Sequence, residues 1–152
     1  MNRKASSLVV ALAIVACAWL SVQLWGRVME DETTILPASE ANWAVLENGW
    51  RRQAIFSGNL TLAVIEAKGP ETGPIQTHHH VHDQVTYLID GEIEVQIGDE
   101  VRRIGPGGSY RVPSDVPHGI RVLSEKARLV DAFTPPREDF REKYLRTIGK
   151  SK

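Results

Sequence analysis

The sequence predicts an all-β domain that closes into a sandwich, jelly roll or barrel. From residue 43 onward, about eight to ten short runs with alternating apolar residues follow one another. Glycine or proline separates most of these runs, as expected where strands turn. Apolar residues at helical spacing occur only near the carboxyl end of this region, so almost no helix interrupts the strands.

The predicted strands are short and amphipathic. Seven of them have assigned bounds, which in chain order are residues 59–67, 85–89, 93–97, 101–104, 110–112, 118–123 and 129–133. Leu60, Leu62 and Val64 alternate in the first strand, and residues two apart on a strand share a face. Residues 68–77 hold two glycines and two prolines, which predicts a loop.

Turns and a closing helix complete the predicted domain. Asp90-Gly91 is the strongest hairpin signal in the chain, and Gly98-Asp99 predicts a further turn. After the last strand, apolar side chains recur at helical spacing and predict a short helix: Phe140, Tyr144, Leu145 and Ile148.

Composition limits the classes of partner. A chain of 152 residues has room for one domain. Its formal net charge of -1 argues against nucleic acid as a partner, because phosphate binding needs a basic surface. Cys17 is the single cysteine, so an intrachain disulfide is excluded.

The first 28 residues are predicted to be a membrane anchor or signal segment. A basic start, Asn2-Arg3-Lys4, precedes an uncharged apolar run over residues 8–24, close to the shortest length that crosses a bilayer. The positive-inside rule then places the domain outside the cytoplasm, on the periplasmic or extracytoplasmic face. We favour an uncleaved anchor, with lipidation at Cys17 and cleavage of the segment as alternatives. The remaining chain divides into a polar linker, a barrel and a helix with its tail: residues 29–41, 42–136 and 137–152.

Histidines are concentrated in one short stretch. Four of the five lie within residues 78–84, which end in Gln84, and the fifth, His118, follows a proline-rich turn. If the stretch is a strand, its even-numbered residues share a face that points into the barrel: His78, His80, His82 and Gln84. Imidazole nitrogen is the commonest metal donor, and an amide adds a carbonyl oxygen. We therefore expect a metal site.

These residues resemble the two motifs of the cupin superfamily. The first motif is His-x-His, a Glu or Gln a few residues later, and a Gly seven residues after that; its matches are His78, His80, Gln84 and Gly91. The second is Gly, five residues, Pro, a short turn and His, matched by Gly107, Pro113 and His118. The resemblance covers residues 42–140. It implies a double-stranded β-helix, the cupin jelly roll, with one divalent ion bound to His78, His80, Gln84 and His118.

A second His-x-His pair, His80 and His82, competes with the first. Its fourth-residue partner would be Thr86, a poor ligand, so we favour the His78 set and expect His82 beside the site, where it contacts substrate or carries a proton. Three imidazoles and an amide are neutral and leave the ion its full double charge, which favours Lewis-acid work over redox chemistry. Ni, Zn, Mn and Fe(II) all stay open as the ion, and a barrel that has lost its metal is the alternative.

Residues 130–140 resemble the closing motif of pectin-degradation cupins of the KdgF type, which are also similar in their ligand set. Those cupins linearise unsaturated uronates left by pectin and alginate lyases. The resemblance implies Asp131 as an acid/base group, Phe133 as a substrate-contacting wall and Arg137 as a partner for a sugar carboxylate. From the residues alone, alternation of Leu129, Asp131 and Phe133 puts a carboxyl inside an apolar barrel. A structural ion pair between Asp131 and Arg137 is the alternative role.

Three functions stay open. We favour a metal-dependent, non-redox lyase or isomerase that acts on a small sugar-acid anion such as an unsaturated uronate, because Gln84 is neutral and Asp131 and Arg137 are both present. The second is an Fe(II) cupin dioxygenase. The third is a non-enzymatic periplasmic module that binds a sugar acid or a metal. The cupin resemblance also implies a homodimer.

Overall fold

A computed structural model describes residues 35–39 and 41–149 of the chain. The predicted anchor, residues 1–28, lies outside the described residues, as does most of the predicted linker, residues 29–41. Within the part of the chain that is described, no helix has the length and apolar character needed to cross a membrane.

The described chain forms two antiparallel sheets and one helix. In chain order the elements are β1 (Ala44–Val45), β2 (Arg51–Phe56), β3 (Thr61–Lys68), β4 (Asp83–Asp90), β5 (Ile93–Ile97), β6 (Glu100–Ile104), β7 (Ser109–Val112), β8 (His118–Val122), β9 (Lys126–Thr134) and α1 (Glu138–Thr147). One sheet has six strands in the order β1-β2-β3-β9-β4-β7, and the other has three in the order β6-β5-β8. The predicted all-β jelly roll with a short C-terminal helix is therefore confirmed.

The apolar core lies between the two sheets. Leu88 and Leu129 from the six-stranded sheet join Ile93 and Val122 from the three-stranded sheet in one cluster of buried side chains. Burying a side chain of this size contributes about 1.5–3 kcal/mol. The alternation of buried and exposed residues along β9 follows directly from this arrangement, because only one face of the strand meets the core.

The register between β4 and β9 makes one end of the core polar. Where β4 pairs with β9, three pairs of opposed residues face inward: Leu88–Leu129, Thr86–Asp131 and Gln84–Phe133. The first pair is apolar and belongs to the core, whereas each of the next two contributes a polar side chain. The register therefore sets a buried carboxyl, a hydroxyl and an amide beside one another at one end of the barrel.

The Asp90-Gly91 turn joins the two sheets instead of forming a hairpin. Strand β4 pairs with β7 and β9, whereas β5 pairs with β6 and β8, so the hairpin prediction is wrong at this position. Gly91 has a φ of +88°, and a Cβ there would collide with the backbone of Lys126 and Ala127. The glycine is needed for a close crossing between sheets. The Gly98-Asp99 turn, in contrast, connects β5 and β6 as a two-residue hairpin.

Helix α1 packs against β1 and β2. Tyr144 is buried, and its hydroxyl donates a hydrogen bond to the carbonyl oxygen of Asn42 at 2.8 Å. The other apolar residues of the predicted helix face also pack on the core: Phe140, Leu145 and Ile148. The helical spacing in the sequence is thus explained by a face that covers one side of the barrel.

Candidate metal centre

The histidine segment is a loop and not the strand that the sequence predicted. Strand β4 begins only at Asp83, and His78 instead forms an isolated bridge with His118. The backbone nitrogen of each residue donates to the carbonyl oxygen of the other, at 2.9 and 2.8 Å. This bridge joins the two histidine motifs, which lie far apart along the chain.

Three imidazoles converge in what we call the histidine cluster, His78, His80 and His118. One ring nitrogen of each lies within 4.8 Å of the other two. The ring of His118 is 4.4 Å from that of His78 and 4.8 Å from that of His80, measured between centroids. His82 is outside this group of converging nitrogens, so the geometry favours the His78 set over the pair formed by His80 and His82.

Backbone carbonyls orient two of these rings. The Nδ1 atom of His118 is 2.8 Å from the carbonyl oxygen of Val116, and Nδ1 of His80 is 3.1 Å from that of His82. A ring nitrogen that faces a carbonyl carries the proton, which leaves a lone pair on Nε2. Nε2 of His118 is buried and has no hydrogen-bond partner among the described residues. Histidines that bind a metal usually donate one ring N–H to a carbonyl and bind the ion through the other nitrogen. His118 has both features, a carbonyl at Nδ1 and an Nε2 unpaired within the described chain.

The contact between His80 and Gln84 tests whether a metal fits. Nε2 of His80 lies 3.2 Å from Oε1 of Gln84. A neutral imidazole has one N–H, so a proton on Nδ1 leaves two acceptors facing each other across this distance. A cation between the two atoms removes that conflict. The three imidazoles and the amide oxygen therefore fit a divalent metal ion, whose identity the ligand set leaves open among Ni, Zn, Mn and Fe(II).

Asp131 and Thr86 fix the orientation of the Gln84 amide. Nε2 of Gln84 donates to the Thr86 hydroxyl at 3.0 Å and to Oδ1 of Asp131 at 3.2 Å. The Thr86 hydroxyl in turn donates to the same Oδ1 at 2.6 Å. An ionised carboxylate only accepts, so the NH₂ group must face Asp131 and the carbonyl must face the histidines. This contact explains an amide at residue 84, since a glutamate would set a second carboxylate against Asp131.

Burial controls the charges around the centre. Desolvation, followed by the neighbouring His118 and His80, lowers the pKa of His78 to about 4, and desolvation also lowers the pKa of His118. Both rings are therefore neutral and able to bind metal near pH 7. Burial raises the pKa of Asp131 to about 6, although hydrogen bonds from Thr86 and Gln84 act in the opposite direction.

Arg137 is bound to Asp139 and not to Asp131. Its Nε and Nη2 atoms donate to the two carboxylate oxygens of Asp139 at 2.9 and 2.7 Å, so the alternative of a direct Asp131–Arg137 ion pair is wrong. The hydrogen bond from Arg137 lowers the pKa of Asp139 to about 2. The guanidinium carbon of Arg137 also lies 3.7 Å from the ring centroid of Phe140 and 5.1 Å from that of Phe133.

Both residues predicted to contact substrate lie against His80. The Phe133 ring is buried and meets the His80 ring edge-on, with centroids 5.7 Å apart. The His82 ring is 5.4 Å from that of His80, and its Nδ1 is buried without a partner in the described chain. Desolvation lowers the pKa of His82. Their roles toward a substrate stay predictions.

Two residues of this region were missed from the sequence. Thr86 lies two positions after Gln84 on one strand, and the period of two could have identified it. Arg52 occupies a buried position of β2 beside the exposed Arg51. Two adjacent arginines carry no signal that tells which of them faces the core.

Comparison with known proteins agrees with this geometry. The cupin domain family matches residues 63–133, and together with a relative at 35% identity this match shows that the chain belongs to the cupin family. Within that family it is similar to the pectin degradation protein KdgF of Dickeya dadantii (strain 3937). The identity is 35% over 103 residues, which make up 66% of this chain and 92% of the relative.

Solved structures show the same similarity. An RmlC-like cupin from Shewanella frigidimarina NCIMB 400 has 29% identity and a TM-score of 0.65, over 73% of this chain and 98% of the other. KdgF from Halomonas sp. has 26% identity and a TM-score of 0.65, over 72% of this chain and 99% of the other. The resemblance to KdgF-type cupins that the motifs predicted is thereby confirmed.

Proposed function

We propose that this chain is a metal-dependent, non-redox lyase or isomerase that acts on a small sugar-acid anion, such as an unsaturated uronate. The observation that carries the proposal is the buried carboxyl of Asp131, which is one hydrogen bond from the amide that faces the histidine cluster. Similarity to a pectin degradation protein supports the substrate class.

The metal ion would be held by the histidine cluster and Gln84, and when bound it supplies Lewis-acid polarisation of a substrate oxygen. Asp131 moves the proton. With a pKa raised to about 6, both its protonated and ionised forms are populated near neutral pH, which suits a general acid or base. The hydrogen bonds that Thr86 and Gln84 donate to it both end on Oδ1, so Oδ2 is the oxygen that exchanges a proton with substrate.

Phe133 and Arg137 shape the remainder of the site. Phe133 packs edge-on against His80 and excludes water from one side of the centre. Asp139 occupies the Nε and Nη2 atoms of Arg137, so a sugar carboxylate would be met by its Nη1 group. His82, next to His80, is placed to contact the substrate as well.

A second candidate is a non-enzymatic module that binds a sugar acid. It is favoured by the same engagement of Arg137, because an arginine already paired with a carboxylate has fewer donors for a reacting substrate. In this case Asp131 would serve only to orient Gln84.

Turnover of an unsaturated uronate by the metal-loaded protein tests the proposal. Loss of the ultraviolet absorbance of the conjugated double bond reports the reaction. Asp131→Asn keeps the shape of the side chain and should lower kcat by about 10²–10⁴-fold while metal content stays at one ion per chain. Asp99→Asn, in an exposed turn, is the matched control and should leave kcat unchanged. Saturable binding of the uronate without turnover would establish the second candidate instead.

A further inference from the structure

Arg52 is a buried arginine without a hydrogen-bonding partner in the part of the chain that the structure describes. The residue is 6% exposed, and its Nε atom is buried without a partner among the described residues. Of the arginines in the described chain, Arg52 and Arg146 are the two that have no carboxylate within ion-pair distance. A buried charge without a partner is costly, so the position of Arg52 calls for a compensating group.

An aromatic ring supports Arg52 but does not satisfy it. Its guanidinium carbon lies 3.7 Å from the ring centroid of Phe140, the same distance as that of Arg137. The two guanidiniums therefore share this ring, and neither receives a hydrogen-bond acceptor from it. The cation–π contact provides attraction and no hydrogen-bond acceptor. Asp131 and Asp139 act on Arg52 only through their charge, and Arg137 repels it.

Arg52 lines a cleft between helix α1 and the β1–β2 region. The cleft has a volume of about 600 Å³, and its charged lining consists of three cations and one carboxylate: Arg52, Lys143, Arg146 and Glu47. Ala44, Val45 and Phe140 supply apolar wall. Both arginines that lack an ion pair therefore open onto the same cleft, whose charge favours an anion.

We propose that this cleft binds a small oxyanion, either the carboxylate of a sugar acid or inorganic phosphate, on the guanidinium of Arg52. The planar guanidinium matches the two oxygens of a carboxylate or phosphate, and such charge-assisted pairs are the strong class of hydrogen bond. Lys143 and Arg146 add an attractive field at the mouth of the cleft. The site is distinct from the histidine cluster, because none of the residues that line the cleft belongs to that cluster.

Anion titration of the full chain tests this site. Metal is first removed by dialysis against a chelating resin, and inorganic phosphate and saturated D-galacturonate are then titrated by calorimetry at constant ionic strength. We expect saturable binding that Arg52→Met weakens roughly tenfold or more, as expected for the loss of a charge-assisted contact. The matched control is Arg102→Met, which removes an exposed arginine paired with Glu100 and should leave the affinity unchanged. His80→Ala should also retain anion binding although it loses metal.

The outcomes separate the two sources of the oxyanion. Tighter binding of galacturonate assigns the cleft to sugar acids, and tighter binding of phosphate assigns it to an inorganic anion. In the wild-type protein, the NMR resonance of the Arg52 Nε–H should shift with the same saturation curve, which keeps the test valid if Arg52→Met fails to fold. The proposal is wrong if neither probe saturates or if Arg52→Met binds as tightly as wild type. Because metal and an unsaturated substrate are both absent, this result is independent of the proposed catalytic function.

Discussion

The barrel contains two polar clusters whose chemistry is opposite. The histidine cluster directs neutral acceptors, joined by the Gln84 oxygen, toward one point. What we call the arginine cluster consists of Arg52, Arg137, Asp139 and Phe140. Both buried arginines contact the Phe140 ring, and only Arg137 is paired with a carboxylate, that of Asp139. The first environment suits a cation and the second an anion. Counting donors and acceptors thus indicates the charge of the group that each cluster could bind.

The ring of Phe133 joins the clusters. The rings of Phe133 and Phe140 meet edge-on with centroids 5.5 Å apart, and Phe133 also contacts His80. The clusters are neighbours that share no hydrogen bond among the described residues. Arg137 still acts on His78 and His118 through its charge, so substitutions in the arginine cluster that keep this charge should leave metal binding nearly unchanged.

Removal of a metal ligand should have the largest effect and tests the identity of the histidine cluster. His80→Ala should lower metal affinity at least about 100-fold, because the ring at the centre of the ligand set is lost. His79→Ala, an exposed neighbour, is the matched control, and it and His82→Ala should both keep one ion per chain. Mass spectrometry of the metal in purified protein measures the content. Loss of metal in His82→Ala with retention in His78→Ala would show that His80 and His82 are the ligand pair instead.

Substitutions at the contact between Gln84 and Asp131 should have the next largest effect. In the metal-free protein, Gln84→Glu places a second carboxylate beside that of Asp131 and should destabilise the fold. Adding Asp131→Asn should restore a donor–acceptor pair. The coupling between the two changes should be about 1–2 kcal/mol in the free energy of unfolding, measured with urea. Gln53→Glu combined with Asp131→Asn is the control and should be additive. If Gln84→Glu and Asp131→Asn were also additive, Asp131 would not orient Gln84.

The sequence was sufficient for the fold because strand signals are local. Alternation along residues 129–133 and the glycine turns identified most strands of the barrel, and the helical spacing near the carboxyl end identified α1. The Asp90-Gly91 error arose because a turn signal does not tell whether the following strand pairs with its neighbour or crosses to another sheet. That choice depends on tertiary packing, here the close approach of the backbone at Lys126.

The candidate site was predictable where it lies within a motif and not where it is assembled from distant segments. His78, His80 and His118 could be recognised from their spacing, although the loop that carries the first two was expected to be a strand. The arginine cluster draws on β2 and on the start of α1, and no spacing rule connects Arg52 with Phe140. Its members become neighbours only through the packing of the helix on the sheet.

The ion pair of the arginine cluster should have a smaller effect. Asp139→Asn should cost less than about 1 kcal/mol, because this carboxylate is about half exposed. The pKa of Asp139 is lowered to about 2, so its stabilisation is present above its ordinary value of 3.8 and is lost as the pH falls toward 2. Urea unfolding of wild type and variant should converge over that range. Glu100→Gln, at an exposed pair, is the control; a pH-independent difference for Asp139→Asn would mean that the pair is not its source.

The smallest net effect concerns the partly solvated His78 and the buried Asp131, whose titrations oppose each other. In the metal-free protein the pKa of His78 is lowered from 6.5 to about 4, so as the pH falls through this range the unfolded chain takes up the proton first and stability decreases. The pKa of Asp131 is raised from 3.8 to about 6, so as the pH rises through that range the unfolded chain loses its proton first and stability again decreases. The two pH dependences of the unfolding free energy overlap between pH 4 and 6, and because they have opposite signs they largely cancel in the wild type. Asp131→Asn should therefore expose a loss of stability as the pH falls, and His78→Ala should expose the opposite slope, a loss of stability as the pH rises. The slope from His78 should stay below the roughly 1.4 kcal/mol per pH unit of one full proton, because His78 is partly solvated. Urea unfolding of the three proteins at several pH values measures these slopes, and identical profiles would show that neither group titrates with the shifted pKa that its burial implies.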